Sequence, residues 1–267
     1  MAKIKVIVNG AAGKMGKEAV KAVSKEADME LVGAVDLKEV GVDAGTVAGI
    51  SILGVQISDN LANIIKATKA DVVVDVTHPS AVMENAKTTL GNSAHAVIGT
   101  TGITEENLNE IKALCAKNKV NAIVAPNFAI GAVLMMKFSK LAAKHMPRVE
   151  IIELHHDQKA DAPSGTAIKT AEMILSEQAK KEQPTEKVKE IEKIDGARGG
   201  NLEGIHIHSV RLPGLVAHQE VIFGGLGQTL KIRHDSISRE SFMPGVLLSV
   251  RKVKDLKGLV YGLDNLL

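Results

Sequence analysis

With 267 residues, 45% hydrophobic and 24% charged, the chain has room for one large or two ordinary domains, and its composition is that of a folded globular protein rather than a disordered one. Its 33 basic and 31 acidic residues leave a net charge of +2, and it has four Phe, one Tyr and no Trp. Those figures exclude the basic surface and the stacking platforms that nucleic acid or anionic lipid would require.

The chain opens MAKIKVIV and enters a strand pattern at once, without a signal-peptide cleavage pattern, and no apolar run approaches the roughly 20 residues that span a bilayer. A cytoplasmic protein with no membrane association is expected. GAAGKMG at residues 10–16 follows that first strand and opens a helix, so Gly10, Gly13 and Gly16 form a variant of the dinucleotide-binding fingerprint. A glycine pattern alone could be only a tight turn. The second strand, ELVGAV, however, leads into Asp36, twenty residues after Gly16, where a carboxylate can accept hydrogen bonds from ribose hydroxyls. Asp36 opposes a 2'-phosphate and favours NADH, whereas Lys14 and Lys38 offer a compensating charge; the choice between NADH and NADPH stays open.

Further strand-like runs, ADVVVDVT, AHAVIGTT and NAIVAP, alternate with helical segments, the pattern of a parallel sheet with right-handed crossovers. His78 follows the first of these runs and flanks the expected cofactor cleft. Gly99-Thr100-Thr101-Gly102 and Ala125-Pro126-Asn127-Phe128 close the next two. In a doubly wound sheet ligands bind at the carboxyl ends of strands, so these loops are expected to border the nicotinamide, the alternative being plain turns. Cys115, the single cysteine, sits at helical spacing from Ile111 and excludes an intrachain disulfide. It reads as a buried structural thiol in a reducing compartment.

AIGAVLMMKFSKLAAKHM then predicts a packed helix of about four turns leading into a second domain. The most informative stretch follows, ELHHDQKADAPSGTA at residues 153–167. His155 and His156 close an apolar strand, Lys159 lies on a loop stiffened by Pro163, and Ser164 begins a helix, expected to run from about 166 to 181, whose free N–H groups can hold a carboxylate. A histidine exchanges protons near neutrality, and an ammonium beside a dianion stays charged. Adjacent strand residues point to opposite faces, so both histidines share a site only at a strand end.

The Lys/Glu-rich segment 180–193 reads as a solvated helix or loop. GIHIHSVR, LVAHQEVIF and TLKIRHDS then read as antiparallel neighbours joined by Pro-Gly and Gly-Gly-Leu-Gly turns. His206 and His208 share a strand face without further ligands to complete a metal site, so a half-exposed face or a subunit contact is expected and no metal. Arg233, His234 and Arg239 are open between a second substrate carboxylate and surface salt bridges. A last helix is expected over about Arg239 to Val253.

The motif E-x-HH-x-x-K-x-DAPSGTA, behind GxxGxMG, a GTTG loop and an APNF loop, strongly resembles the 4-hydroxy-tetrahydrodipicolinate reductase (dihydrodipicolinate reductase) family, over essentially the whole chain down to LDNLL. That resemblance implies NADH- or NADPH-dependent reduction of a cyclic dicarboxylate in the diaminopimelate route to lysine, by a homotetramer. It implies that His155 is a proton donor/acceptor, Lys159 a catalytic proton donor and His156 a substrate ligand. Gly165 and Thr166, with Ser164 at the helix start, would clamp a substrate carboxylate. Gly10, Ala11, Ala12, Gly13, Lys14, Met15, Asp36, Gly99, Thr100, Thr101, Ala125, Pro126, Asn127 and Phe128 would line the cofactor. One departure is Leu37, where some members have an Arg that assists NADPH.

The expected architecture is α/β: a Rossmann-type doubly wound parallel sheet from residues 1–126 and 236–267, and an inserted α+β substrate and oligomerisation domain at 127–235. Aspartate-semialdehyde dehydrogenase would need a catalytic Cys that Cys115 does not supply, and a nucleotide-sensing regulator would not need the HH-x-x-K cluster.

Overall fold

A computed structural model describes residues 2–178 and 191–267, in two compact units, Met1–Ile130 with Arg239–Leu267, and Gly131–Ser238. The expected breaks at 126/127 and 235/236 therefore move a few residues later. The first break moves because Phe128 and Ala129 are still buried in the first unit, where Phe128 closes on Gly99: a Cβ there would meet the Phe128 ring at 2.7 Å.

In the first unit β1 (Ile4–Asn9), α1 (Lys14–Lys25), β2 (Met29–Val35), α2 (Ala44–Ala48), β3 (Ile57–Ser58), α3 (Leu61–Thr68), β4 (Val72–Asp75), α4 (Val82–Gly91), β5 (His95–Ile98), α5 (Glu105–Asn118) and β6 (Ala122–Val124) alternate. All strands pair in parallel in the order β6-β5-β4-β1-β2-β3, which reverses direction at the β1/β4 boundary. The central strands are Val/Ile runs because both faces are covered. Ile7, Val73 and Val35 pack under Leu61 and Ile65 of α3, and Ala96, Ile98 and Val124 pack under α4 and α5. α5 starts on a capping box between Thr104 and Asn107, and burial in it pushes the Cys115 thiol up to about 11.

α6 (Ile130–Ala143) leads to β7 (Arg148–His155), α7 (Gly165–Gln178), β8 (Gly200–Leu202), β9 (Ile205–Arg211), β10 (Ala217–Gly225) and β11 (Gln228–Ser236). These strands form a mixed sheet, β11-β10-β7-β9-β8. The expected antiparallel trio is corrected here. β10 and β11 do pair antiparallel, but β7 lies between β9 and β10 and runs parallel to β9. The Pro-Gly connection is not a hairpin: it passes over the end of β7, where the Leu212 N–H donates to the His155 carbonyl at 3.1 Å. The core lies between this sheet and α6 and α7, centred on Ile151, Ile207, Val221 and Phe223 with Ala171 and Ile174. The 180–193 segment falls largely outside the described residues.

The chain then returns to the first unit. Arg239–Phe242 form a 3-10 turn, α8 (Met243–Lys252) carries the expected helix, and β12 (Leu259–Tyr261) adds a seventh parallel strand beside β6. Among the described residues no helix is long and apolar enough to cross a membrane.

Candidate functional site

Of the sequence-predicted cofactor residues, Lys14 and Met15 open α1, and the others lie in the turns that follow β1, β2, β5 and β6 at their carboxyl ends. Gly10 follows β1 at φ +88°, a left-handed conformation that glycine adopts without strain, and a Cβ there would sit 2.9 Å from the Val76 carbonyl oxygen. At Gly16 a Cβ would lie 1.9 Å from the Gly10 carbonyl oxygen, so α1 packs directly on the turn. Gly13 is the residue before the first turn of α1. Asp36 follows β2; its carboxylate accepts the Ala12 N–H and the Lys38 N–H, both at 3.0 Å, tying the glycine turn to the end of the second strand. Lys14 is exposed and Met15 half-buried, and Leu37 is 87% exposed.

Sequence reasoning missed the group that organises the next loops. Asp75, at the end of β4, is buried and has no cationic partner among its hydrogen bonds. Its carboxylate accepts from Asn9 Nδ2 at 2.9 Å, Asn85 Nδ2 at 2.8 Å, Thr77 Oγ1 at 2.8 Å and Thr100 Oγ1 at 2.9 Å, so it joins the ends of β1, β4 and β5. Thr100 is buried by this bond while Thr101 is exposed. Asn127 accepts the Ala129 N–H at 2.8 Å in the APNF loop, Ala125 is buried and Pro126 exposed. His78 bonds Ser80 Oγ through Nδ1 at 2.9 Å.

In the second unit the strand period of two builds the site. Val149 and Ile151 face the helices, and the next two residues of that parity are Glu153 and His155. The neighbouring strands follow: Ile151 lies between Ile207 and Val221, Glu153 between Ser209 and Gln219, and His155 between Arg211 and Ala217. The core-facing side thus turns from apolar to polar toward the end of β7. β7 stops at His155, so His156 already belongs to the loop.

Glu153 is fully buried and satisfied on both oxygens. Arg211 donates Nη2 to Oε1 at 2.7 Å and Nη1 to Oε2 at 2.9 Å, His155 Nδ1 lies 2.5 Å from Oε2, and the Ser164 N–H reaches Oε1 at 3.3 Å. Burial by itself would raise this carboxyl group, but the hydrogen bonds from His155, Arg211 and Ser209 outweigh it and hold it at about 2. Arg211 Nη2 also donates to the Asp161 carbonyl at 2.7 Å, anchoring the loop between the histidines and α7. On that loop Lys159 Nζ contacts Asp161 Oδ1 at 2.6 Å; the ammonium lowers the Asp161 carboxyl below its ordinary value. Ala162-Pro163 is a cis peptide, and buried Ser164 accepts the Ala167 N–H through Oγ at 3.3 Å, capping α7 just before Gly165 and Thr166.

The other flagged residues serve the sheet. His208 Nε2 pairs with Glu150 at 2.8 Å, and His206 Nε2 lies 3.4 Å from Asn201 Nδ2. Arg233 is held by Glu220 and Asp235, the salt-bridge alternative, and His234 packs over Gly131, where a Cβ would meet its ring at 2.5 Å.

Because Glu153 has an ordinary value near 4.5 and a depressed one in the fold, its contribution is complete above pH 4.5 and fades as pH falls toward 2. The expected acid loss is on the order of 3 kcal/mol. Urea midpoints between pH 5 and pH 2 should fall more steeply for the wild type than for Glu153→Gln; parallel curves would show that Glu153 does not carry the acid sensitivity.

A reversing parallel sheet with a glycine turn and a terminal carboxylate, joined to a unit that presents a histidine and a lysine beside a helix start, defines the class of nucleotide-binding α/β oxidoreductases. Amine dehydrogenase from Mycobacterium smegmatis has the same fold, with a TM-score of 0.69 at 15% identity over 98% of this chain and 96% of that one. The family profile "Dihydrodipicolinate reductase, N-terminus" matches residues 4–128, and "Dihydrodipicolinate reductase, C-terminus" matches 131–267. The 4-hydroxy-tetrahydrodipicolinate reductase of Desulfitobacterium hafniense is 54% identical over all of both chains, and that of Moorella thermoacetica is 52% identical over 100% of this chain and 99% of its own. The solved "Dipicolinate bound Dihydrodipicolinate reductase from Paenisporosarcina sp. TG-14" has a TM-score of 0.87 and 50% identity, over 99% of this chain and 100% of that one. The chain belongs to the 4-hydroxy-tetrahydrodipicolinate reductase family.

Proposed function

We propose that this chain reduces the cyclic 4-hydroxy-tetrahydrodipicolinate/dihydrodipicolinate intermediate to tetrahydrodipicolinate, in the diaminopimelate route to lysine, with NADH or NADPH as reductant. The observation that carries the reading is the cluster of Glu153, His155, Arg211 and the Ser164 helix start, in a chain similar to the reductases over its full length.

The close packing of Gly10 and Gly16 and the placement of Asp36 suit a dinucleotide, whose pyrophosphate would lie against the turn Gly10 to Met15 and whose ribose hydroxyls would be held by Asp36. Thr100, Thr101 and the Ala125 to Phe128 loop would border the nicotinamide. When bound, the reduced nicotinamide supplies a hydride. The protein's part is orientation and proton management. Gly165 and Thr166 N–H groups at the start of α7 receive one substrate carboxylate, and Lys159 Nζ and His156 hold the dianion from the loop. One proton accompanies the hydride: His155 exchanges it, while Lys159 donates a hydrogen bond to the imine nitrogen as its electron density rises. The homotetramer and the cytoplasmic setting are assigned with this reading, the latter supported by the single buried thiol of Cys115.

Pyridine-2,6-dicarboxylate, a planar mimic of the ring, is expected to inhibit competitively with substrate; inhibition competitive only with the reduced cofactor would contradict the placement of the dianion site. Asp36→Ala should weaken NADH by about 10- to 100-fold, the worth of a hydrogen bond to a charged group, and NADPH less, because the carboxylate that holds a hydroxyl opposes a phosphate. Dissociation constants for both cofactors decide it. Equal weakening would reduce Asp36 to the tether between the glycine turn and β2.

A further inference from the structure

The mechanism above uses His155 but leaves open which ring nitrogen meets the substrate. We infer that Glu153 is a positioning residue that fixes His155 with Nδ1 protonated and turned inward, so that Nε2 is the atom that exchanges the proton. This deepens the proposed function and rests on its assignment of His155 to proton exchange.

The geometry carries the argument. Glu153 is fully buried, and Arg211 grips it with two parallel N–H donors at 2.7 and 2.9 Å, which keeps it ionised and immobile. An ionised carboxylate only accepts hydrogen bonds, so the His155 Nδ1 that touches Oε2 must be the donor, and a neutral imidazole donor at Nδ1 leaves its lone pair on Nε2. The depressed value of the Glu153 carboxyl agrees with this ionic form. The same carboxylate also accepts the Ser164 N–H, and its Arg211 partner donates to the Asp161 carbonyl. One buried anion therefore ties the ring to both ends of the segment between Lys159 and α7. The charged groups bound into the cluster are Arg211 from β9 and, through the loop, Asp161 with Lys159.

Substituting Glu153→Gln has a specific consequence. An amide has one acceptor oxygen, and only at the Oε1 position does it keep both Arg211 Nη2 and the Ser164 N–H, a backbone donor that cannot accept. The amide NH₂ then takes the Oε2 position facing His155, so Nδ1 must accept and the proton moves to Nε2. The test is nitrogen-15 NMR of the His155 ring in the ligand-free protein, at a pH where the ring is neutral, together with kcat and KM. The wild type is expected to show the Nδ1–H tautomer and Glu153→Gln the Nε2–H tautomer. In Glu153→Gln kcat should fall by about 10²- to 10⁴-fold while KM for the reduced cofactor is unchanged. A wild-type Nε2–H tautomer overturns the inference, even if Glu153→Gln fails to fold. So does a flipped tautomer with unchanged kcat, or an unflipped one in the folded variant. The tautomer is read without turnover, so its failure is distinguishable from failure of the reductase reading.

Discussion

His155→Ala is expected to lower kcat by about 10²- to 10⁴-fold, the range for losing a positioned acid/base group, with little change in affinity for the reduced cofactor. The structure makes this a clean substitution. His155 ends β7 and is only partly buried, and its loss leaves Glu153 still paired with both Arg211 donors, so no buried charge is left unpartnered. Thermal unfolding should therefore change far less than turnover does. A folded variant with wild-type kcat would remove His155 from the reaction.

Lys159→Ala is expected to weaken pyridine-2,6-dicarboxylate on the order of 10²-fold at low salt. Two effects add. The variant loses the ammonium that attracts the dianion, and it leaves the Asp161 carboxylate, now held by Lys159 at 2.6 Å, as an unneutralised negative charge on the same loop. The affinity that remains should fall less with added salt, since the attraction that salt screens is gone and salt also screens the repulsion from Asp161. Thr166→Val keeps the backbone N–H donors of α7 and should weaken binding only modestly, which makes it the control. If Lys159→Ala binds the dicarboxylate as tightly as the wild type at low salt, the dianion site lies elsewhere.

The parallel sheet was legible because β1, β2, β4, β5 and β6 are apolar runs bounded by turn residues, and the Gly10 turn and Asp36 stand at fixed distances from them. β3 and β12, two and three residues long, are too short to carry a period and were missed. The order of the second sheet was not legible either. Leu212-Pro213-Gly214 has hairpin chemistry, but the partner that separates β9 from β10 is β7, some fifty residues earlier, and that pairing is decided by the core around Ile151. His155, Lys159 and Ser164 could be read together because one short stretch holds them. Arg211 could not, being 58 residues from Glu153 on a strand with no local signal. Glu153 did carry one: it continues the core-facing parity of Val149 and Ile151, and a carboxylate at such a position needs a cation.

The most direct test of the central claim is steady-state turnover with the cyclic substrate generated in situ, following the absorbance of NADH and of NADPH in separate reactions. Substrate-dependent loss of the reduced-cofactor absorbance, suppressed by pyridine-2,6-dicarboxylate, is the predicted result; no loss with either cofactor, from folded protein and fresh substrate, would contradict it.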